Sequence, residues 1–260
     1  MACITLRNVT KTYPDGFCAL KNINLDIAAG EFIAILGPSG AGKSTLLRTI
    51  NALDPASSGE ISIDGEVLTP RNRRRVRARI GMVFQQFNLL DRLNVMTNVL
   101  IGRLAERGWL SSLFYLFPQS DFQIAEAALR EVDLLGKAWS RADKLSGGQQ
   151  QRVGIARALA QQPKLILADE PVASLDPKAS EDVLALLRKI CTEKGITVVV
   201  NLHQVEYARQ YADRIIALNA GSVMFDGSPE HLSPSKLAVI YGITTPLESR
   251  HADKLALAHA

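Results

Sequence analysis

The sequence predicts an α/β protein built on a parallel sheet, from three apolar runs and a helix between two of them. The runs are residues 32–36, 165–168 and 196–200. Each is short and apolar throughout, which is typical of a strand covered on both faces. Between the last two, apolar residues recur at helical spacing, at Val183, Leu184, Leu186, Leu187 and Ile190. The order strand, helix, strand indicates a crossover in a parallel sheet.

The segments around this core have other periodicities. Over roughly the first sixty residues apolar positions alternate with polar ones, as in strands. The alternation begins with Ile4 and Leu6 and ends with Ile61 and Ile63, which precede the turn Asp64-Gly65. Residues from about 88 to 160 show helical spacing, with one apolar face at Ile124, Ala128, Leu129, Val132 and Leu135. We therefore expect strands first, then a mostly helical insertion between two parts of one α/β core, and finally a terminal helix and tail after Gly227.

Composition excludes several classes of protein. The chain has 260 residues, of which 47% are hydrophobic and 22% charged, as in soluble globular proteins. No apolar run approaches the roughly 18 residues of a membrane span, and residues 1–16 lack the features of a signal peptide. The three cysteines form no CxxC pair, so neither a zinc site nor a disulfide framework is indicated, and we expect a reducing cytosol.

The formal net charge of +4 is concentrated in residues 71–79, which hold six arginines. A solvated surface segment, near anionic lipid or an acidic partner, is one interpretation, and nucleic-acid binding is the other. No aromatic residues that could stack on bases are interleaved with the arginines. We therefore expect no nucleic-acid partner.

A phosphate-binding loop follows the first buried strand. Its residues are Gly37, Pro38, Ser39, Gly40, Ala41, Gly42, Lys43, Ser44 and Thr45, and they match G-x-x-x-x-G-K-[ST] between a predicted strand and a predicted helix. Glycines let backbone N–H groups converge on phosphate oxygens, Lys43 supplies a positive charge, and the Ser44 hydroxyl can bind Mg²⁺. A glycine-rich turn with a chance lysine is the plainer alternative, which the flanking elements disfavour.

Acidic residues follow the second buried strand. Asp169 and Glu170 come after residue 168, at the strand end where parallel sheets bind ligands. Asp169 would meet the Mg²⁺ held by Ser44, and Glu170 could accept a proton from the attacking water. The alternative, a helix-capping acidic pair, is weakened by Pro171. His203 ends the third strand beside them; a lone histidine is more often structural, but this position favours contact with the γ-phosphate.

These motifs resemble the ATP-binding cassette (ABC) superfamily along most of the chain. Residues 37–45 are similar to its Walker A loop, residues 165–170 to its Walker B strand, and residues 145–149 (LSGGQ) to its signature motif. Gln85 resembles the Q-loop glutamine, Tyr13 the aromatic that stacks on adenine, and His203 the switch histidine, while the D-loop residues are Ser174, Leu175 and Asp176. The resemblance implies a P-loop (RecA-like) parallel-sheet core with an N-terminal antiparallel β subdomain and an inserted helical subdomain.

The resemblance also implies boundaries, roles and a second copy of the chain. The boundaries are 1–87 and 161–226 for the nucleotide-binding core, 88–160 for the helical subdomain and 227–260 for a tail. The implied ligands are ATP and Mg²⁺, with Lys43, Glu170 and His203 catalytic and with Ser44, Gln85 and Asp169 at the metal. The signature residues Leu145, Ser146, Gly147, Gly148 and Gln149 would cap the ATP of a second copy in a head-to-tail homodimer, because Ser146 offers a hydroxyl and the glycines offer bare N–H groups at a helix start.

Three stretches resemble the phosphonate-importer branch: Val172-Ala173, residues 200–205, and the lengthened segment 102–118. We expect a motor subunit at the cytoplasmic face of a bacterial inner membrane, with a separate permease and a periplasmic solute-binding protein. An importer of another small solute, a cytosolic ATPase on a soluble carbon–phosphorus cleavage complex and a nucleic-acid ATPase are the alternatives. The apolar stretch 109–118 is too short to span a membrane, and either packs internally or receives a coupling helix of the permease.

Overall fold

The computed structural model describes residues 2–106 and 117–242. Residues 109–116 of the apolar stretch and the predicted tail beyond 242 lie outside the described residues. Within the described ranges, none of the helices is both long and apolar enough to cross a membrane.

The two parts of the predicted alternating segment, around Ile4 and around Ile61, lie in one antiparallel sheet. Its strands are β1 (Ala2–Thr12), β2 (Cys18–Ala28), β4 (Ser58–Ile63) and β5 (Glu66–Val67), in the order β2-β1-β4-β5. Ile4 pairs with Ile63 and Leu6 with Ile61, so the predicted apolar positions share one buried face. The predicted turn is confirmed, since Asp64 and Gly65 have φ of 51° and 78° between the paired residues Ile63 and Glu66.

The core is a six-stranded sheet, in which β6 (Ile80–Val83), β7 (Leu165–Ala168), β8 (Thr197–Asn201), β3 (Phe32–Leu36) and β9 (Arg214–Asn219) run parallel. β10 (Ser222–Gly227) is antiparallel at one edge, and the order is β10-β9-β3-β8-β7-β6. The three predicted strands are confirmed. The third begins one residue later than predicted, at Thr197, and ends at Asn201. Along β3, Phe32 and Ala34 pack toward the helices and Ile33 toward the antiparallel sheet, so both faces are covered.

The helices are α1 (Lys43–Ile50), α2 (Arg73–Ala78), α3 (Val95–Leu100), α4 (Gln119–Glu131), α5 (Gly147–Ala160), α6 (Pro177–Lys194), α7 (Val205–Tyr211) and α8 (Pro234–Tyr241), with a 3₁₀ segment at Ile101–Glu106. Helices α3, α4 and α5 pack on one another, and α5 also reaches the sheet, where Ala158 lies against Gly81. One hydrophobic cluster therefore joins these helices to β3, β7 and β8. The predicted boundaries between subdomains remain a prediction.

The arginine-rich stretch forms α2 and its flanks. Val76 is its buried anchor, while Arg75 donates to Glu66 and Arg79 lies 3.7 Å from the same carboxylate. These contacts hold the pKa of Glu66 below its usual value, and the hydrogen bond from Arg75 is the main cause. The other arginines of the stretch are exposed or half-buried, which agrees with the interpretation as a solvated surface.

Candidate functional site

The loop between β3 and α1 depends on glycine at two close approaches. Gly37 and Gly42 have φ of 144° and 101°, values that other residues rarely adopt. A Cβ on Gly42 would lie 2.5 Å from the carbonyl oxygen of Ala19, and one on Gly37 would overlap the carbonyl oxygen of Leu218. The loop can therefore keep its shape only without these side chains, and its backbone leads directly into the N-terminus of α1.

Lys43 opens α1 and folds back over this loop. Its Nζ donates to the carbonyl oxygens of Gly37 at 2.7 Å and Pro38 at 3.1 Å, and the residue is 5% exposed. Burial lowers the pKa of Lys43, while the nearby carboxylates of Glu170 and Asp169 act in the opposite direction. The ammonium group is thus held over the loop by weak carbonyl acceptors, and phosphate oxygens are stronger acceptors for it.

Ser44 and Asp169 meet next to the loop. The Ser44 hydroxyl donates to Asp169 Oδ1 at 2.7 Å, and Arg48 lies 3.8 Å from Oδ2. One carboxylate and one hydroxyl, together with phosphate oxygens of a bound nucleotide, would form the oxygen-donor set that Mg²⁺ prefers. In residues 2–106 and 117–242 no group of three His, Cys, Asp or Glu side chains is arranged to hold a metal. The donor pair of Ser44 and Asp169 fits Mg²⁺ that also binds phosphate oxygens of a nucleotide.

Glu170 and His203 form the opposite wall of the site. His203 Nε2 lies 2.7 Å from Glu170 Oε1, and Glu170 has a φ of 51°, a strained value that clusters at functional sites. Both line a pocket of about 280 Å³ together with the phosphate loop. The ends of β7 and β8 thus bring a carboxylate and an imidazole to the place where phosphate would bind.

Tyr13 and Gln85 lie outside this pocket. The Tyr13 hydroxyl donates to Asp54 Oδ2 at 2.6 Å, and Lys11 Nζ lies 5.1 Å from the centre of its ring. Gln85 is exposed on a turn after β6. Their roles in stacking on adenine and at the metal remain predictions. The aromatic residue that does line the pocket is Phe17, which is 55% exposed and which sequence reasoning missed.

The signature residues lead into α5, which begins at Gly147. Ser146 is the N-cap, accepting from the backbone N–H of Gln149 at 3.4 Å, and the Gln149 side chain accepts from the Ser146 N–H at 3.2 Å. Leu145 is buried, whereas Gly147 and Gly148 are half-buried. None of these five residues lines the pocket that contains Lys43.

The D-loop residues lie beneath the signature turn. A Cβ on Gly147 would lie 3.2 Å from Leu175 Cδ2, and one on Gly148 would lie 3.1 Å from the Cβ of Ala179. Asp176 caps α6 by accepting from the N–H of Ala179 at 3.0 Å, and Ser174 is exposed. The signature turn and the D-loop therefore form one surface, separate from the lining of the phosphate pocket.

Sequence comparisons agree with this geometry. The ABC transporter family model matches residues 20–173. The phosphonates import ATP-binding protein PhnC of Thiobacillus denitrificans is 59% identical over 260 residues, which cover 100% of both chains. The protein of the same name from Bacillus anthracis is 54% identical over 92% of this chain and 94% of its own.

Solved structures extend the likeness to three dimensions. A dimeric post-hydrolysis state of the ATP-binding cassette MJ0796, bound to ADP and Pi, is 42% identical with a TM-score of 0.76, covering 87% of this chain and 98% of that one. The cassette cbiO1 of Clostridium perfringens, part of the transporter complex cbiONQ, is 28% identical with a TM-score of 0.80, covering 97% and 99%. Because the phosphate loop, the acidic strand end and the signature turn occur in this order on this fold, the chain belongs to the ABC transporter family, as an ATP-binding cassette.

Proposed function

We propose that this chain is the ATP-hydrolysing motor subunit of a phosphonate importer. The observation that supports hydrolysis best is the 2.7 Å contact between Glu170 and His203 at the phosphate-loop pocket. The substrate assignment is supported by relatives named as phosphonates import ATP-binding proteins, which match this chain nearly end to end.

In the proposed reaction the loop and Lys43 bind the phosphates of ATP. The Lys43 ammonium exchanges its carbonyl acceptors for phosphate oxygens and offsets their charge. Glu170 accepts the proton of the attacking water, and His203, whose Nε2 lies 2.7 Å from Glu170 Oε1, orients the carboxylate. Bound Mg²⁺, held by Ser44, Asp169 and Gln85, would supply charge neutralisation on the phosphates.

The proposed active unit is a head-to-tail homodimer. The signature turn lies outside its own chain's pocket, and its half-buried helix start offers N–H groups that suit an anion. In the dimer it would cap the γ-phosphate bound by the partner's phosphate loop. Two composite sites would then close on ATP and reopen after hydrolysis.

Closure of the dimer would drive a separate permease in the membrane. The cassette would bind peripherally at the cytoplasmic side of the permease, and a solute-binding protein would deliver phosphonate to it.

The alternative assembly, a soluble carbon–phosphorus cleavage complex, is tested by affinity capture of the tagged chain after detergent extraction. Recovery of a multi-span membrane protein supports import, and recovery of soluble enzymes alone overturns it.

The hydrolytic role is tested by Glu170→Gln. We expect ATP hydrolysis to fall by about 100-fold or more, since a general base typically contributes that much, while ATP still binds. Size-exclusion chromatography with Mg·ATP should then show a stable dimer. The matched control is Glu193→Gln, because Glu193 is an exposed residue of α6 whose only close ion pair among the described residues is with Lys189. Hydrolysis by Glu170→Gln at the control's rate would contradict the proposal.

A further inference from the structure

Asn201 is a buried polar residue that the proposed mechanism does not use. It ends β8, a strand whose other residues are Thr197, Val198, Val199 and Val200, and it is 0% exposed. β8 lies between β3 and β7, and Val200 pairs with Ala168. This register places residue 201 beside residue 169, at the carboxyl edge of the sheet.

The amide of Asn201 makes one short contact and leaves its other end without a partner. Asn201 Nδ2 donates to Asp169 Oδ1 at 2.7 Å. A carboxylate only accepts hydrogen bonds, so this contact fixes which end of the amide faces Asp169. Asn201 Oδ1 is buried and has no hydrogen-bond partner in the described part of the chain. A valine would avoid that unfavourable burial, so the amide calls for a reason beyond folding.

The contact controls which oxygen of Asp169 is free. Ser44 Oγ and Asn201 Nδ2 both donate to Oδ1, each at 2.7 Å. The other oxygen, Oδ2, has only Arg48 near it among the described residues, at 3.8 Å, beyond hydrogen-bonding range. Two donors on one oxygen fix the rotation of the carboxylate and leave Oδ2 as the acceptor that a metal-bound water could use.

We propose that Asn201 is a positioning residue for the Mg·nucleotide site, acting through Asp169. It donates to the same Oδ1 as Ser44 of the phosphate loop, so that the carboxylate keeps one orientation when Ser44 turns its lone pairs to the metal. This inference rests on the proposed function, since it requires that nucleotide binds together with Mg²⁺. Partners that orient metal ligands commonly change metal affinity by large factors.

The experiment measures binding of a fluorescent, non-hydrolysable ATP analogue to the full chain as Mg²⁺ is titrated, with an EDTA sample as the metal-free reference. For Asn201→Val we expect the half-saturating Mg²⁺ concentration to rise about tenfold, with metal-free binding unchanged. Asn201→Ser, whose side chain is too short for this contact, should give the same shift. The matched control is Thr197→Val at the start of β8, where Thr197 Oγ1 accepts from the N–H of Gly30 at 3.0 Å. Its melting temperature should fall without a change in the Mg²⁺ curve.

The outcomes separate the two proposals. A wild-type chain whose nucleotide binding ignores Mg²⁺ would overturn the proposed function, whatever the variants do. A wild-type chain with a clear Mg²⁺ requirement, together with wild-type curves for Asn201→Ser and Asn201→Val, would overturn the role of Asn201 alone. If Asn201→Val does not fold, the curve of Asn201→Ser decides: a curve matching that of Thr197→Val means that the amide only stabilises the strand.

Discussion

Two glycine-rich turns at helix starts, residues 37–42 and residues 146–149, differ in what their glycines do. In the first, Gly37 and Gly42 have positive φ, and a Cβ on either would collide with backbone oxygens. In the second, Gly147 and Gly148 begin a helix in ordinary backbone conformation, and a Cβ would meet only side chains. The first loop needs glycine in order to fold. The second can fold without it, so its glycines suit the approach of something outside the chain.

The surroundings of the two turns differ in the same direction. Around the first, Lys43 and Asp169 are buried, and short hydrogen bonds hold them in place. At the second, the exposed Ser146 only caps its own helix. The pocket side is thus preorganised within one chain, while the signature side is a surface that, in the proposed dimer, would become a site only against a partner.

The largest expected effect comes from mixing two inactive variants. Lys43→Ala removes the phosphate-binding charge and Ser146→Arg blocks the signature turn, so each homodimer should lose about 100-fold or more of its ATP hydrolysis. In a head-to-tail mixed dimer both lesions fall in one composite site and the other site is intact. Random association should therefore recover about a quarter of the wild-type sites.

The control for this mixing experiment is a chain that carries both substitutions. Mixed with Lys43→Ala it provides no intact phosphate loop, so no activity should return. If mixtures of the two single variants recover no ATP hydrolysis at any ratio, each signature turn serves its own chain. The structural difference between the two turns would then not reflect a shared site.

The second effect concerns stability. Gly42→Ala forces φ of 101° on a residue with a Cβ, 2.5 Å from the carbonyl oxygen of Ala19, and should cost about 2 kcal/mol or more of the free energy of unfolding. In Gly148→Ala, the higher helix propensity of alanine should stabilise the protein by about 0.5–1 kcal/mol, while the tight contact of the new Cβ with Ala179 should destabilise it. The net change in the free energy of unfolding should therefore be small. Urea denaturation of both variants measures the difference. Equal losses would show that the signature glycines are also structural.

Much of this site could be predicted from the sequence, because its signals are local. A buried strand followed by a phosphate-loop motif identifies Lys43 and Ser44, and the ends of parallel strands must share an edge, which brings Glu170 to His203. The contact between Asn201 and Asp169 could not be predicted, since it depends on the register of β8 against β7, in which Val200 pairs with Ala168.

Other features missed from the sequence have similar causes. Phe17 lies in a turn, where an exposed aromatic has no periodic pattern to mark it. The strands β6, β9 and β10 were not identified; the first has only four residues and follows directly on the arginine-rich stretch, and β10 is a half-exposed edge. The predicted role of Tyr13 rests on its motif alone, and its hydrogen bond to Asp54 depends on packing between segments about forty residues apart.

The smallest expected effect separates capping from catalysis at the signature turn. Ser146 and Ser233 are both N-caps, accepting from backbone N–H groups at 3.4 Å and 3.3 Å. Replacing either by alanine should therefore cost about 1 kcal/mol of the free energy of unfolding, measured by urea denaturation. ATP hydrolysis should fall only for Ser146→Ala, because only that hydroxyl would also meet the partner's ATP, whereas Ser233 caps a helix outside the signature turn. If the two variants hydrolyse ATP equally well, the hydroxyl of Ser146 only caps its helix, and the contribution of the signature turn must come from its backbone N–H groups.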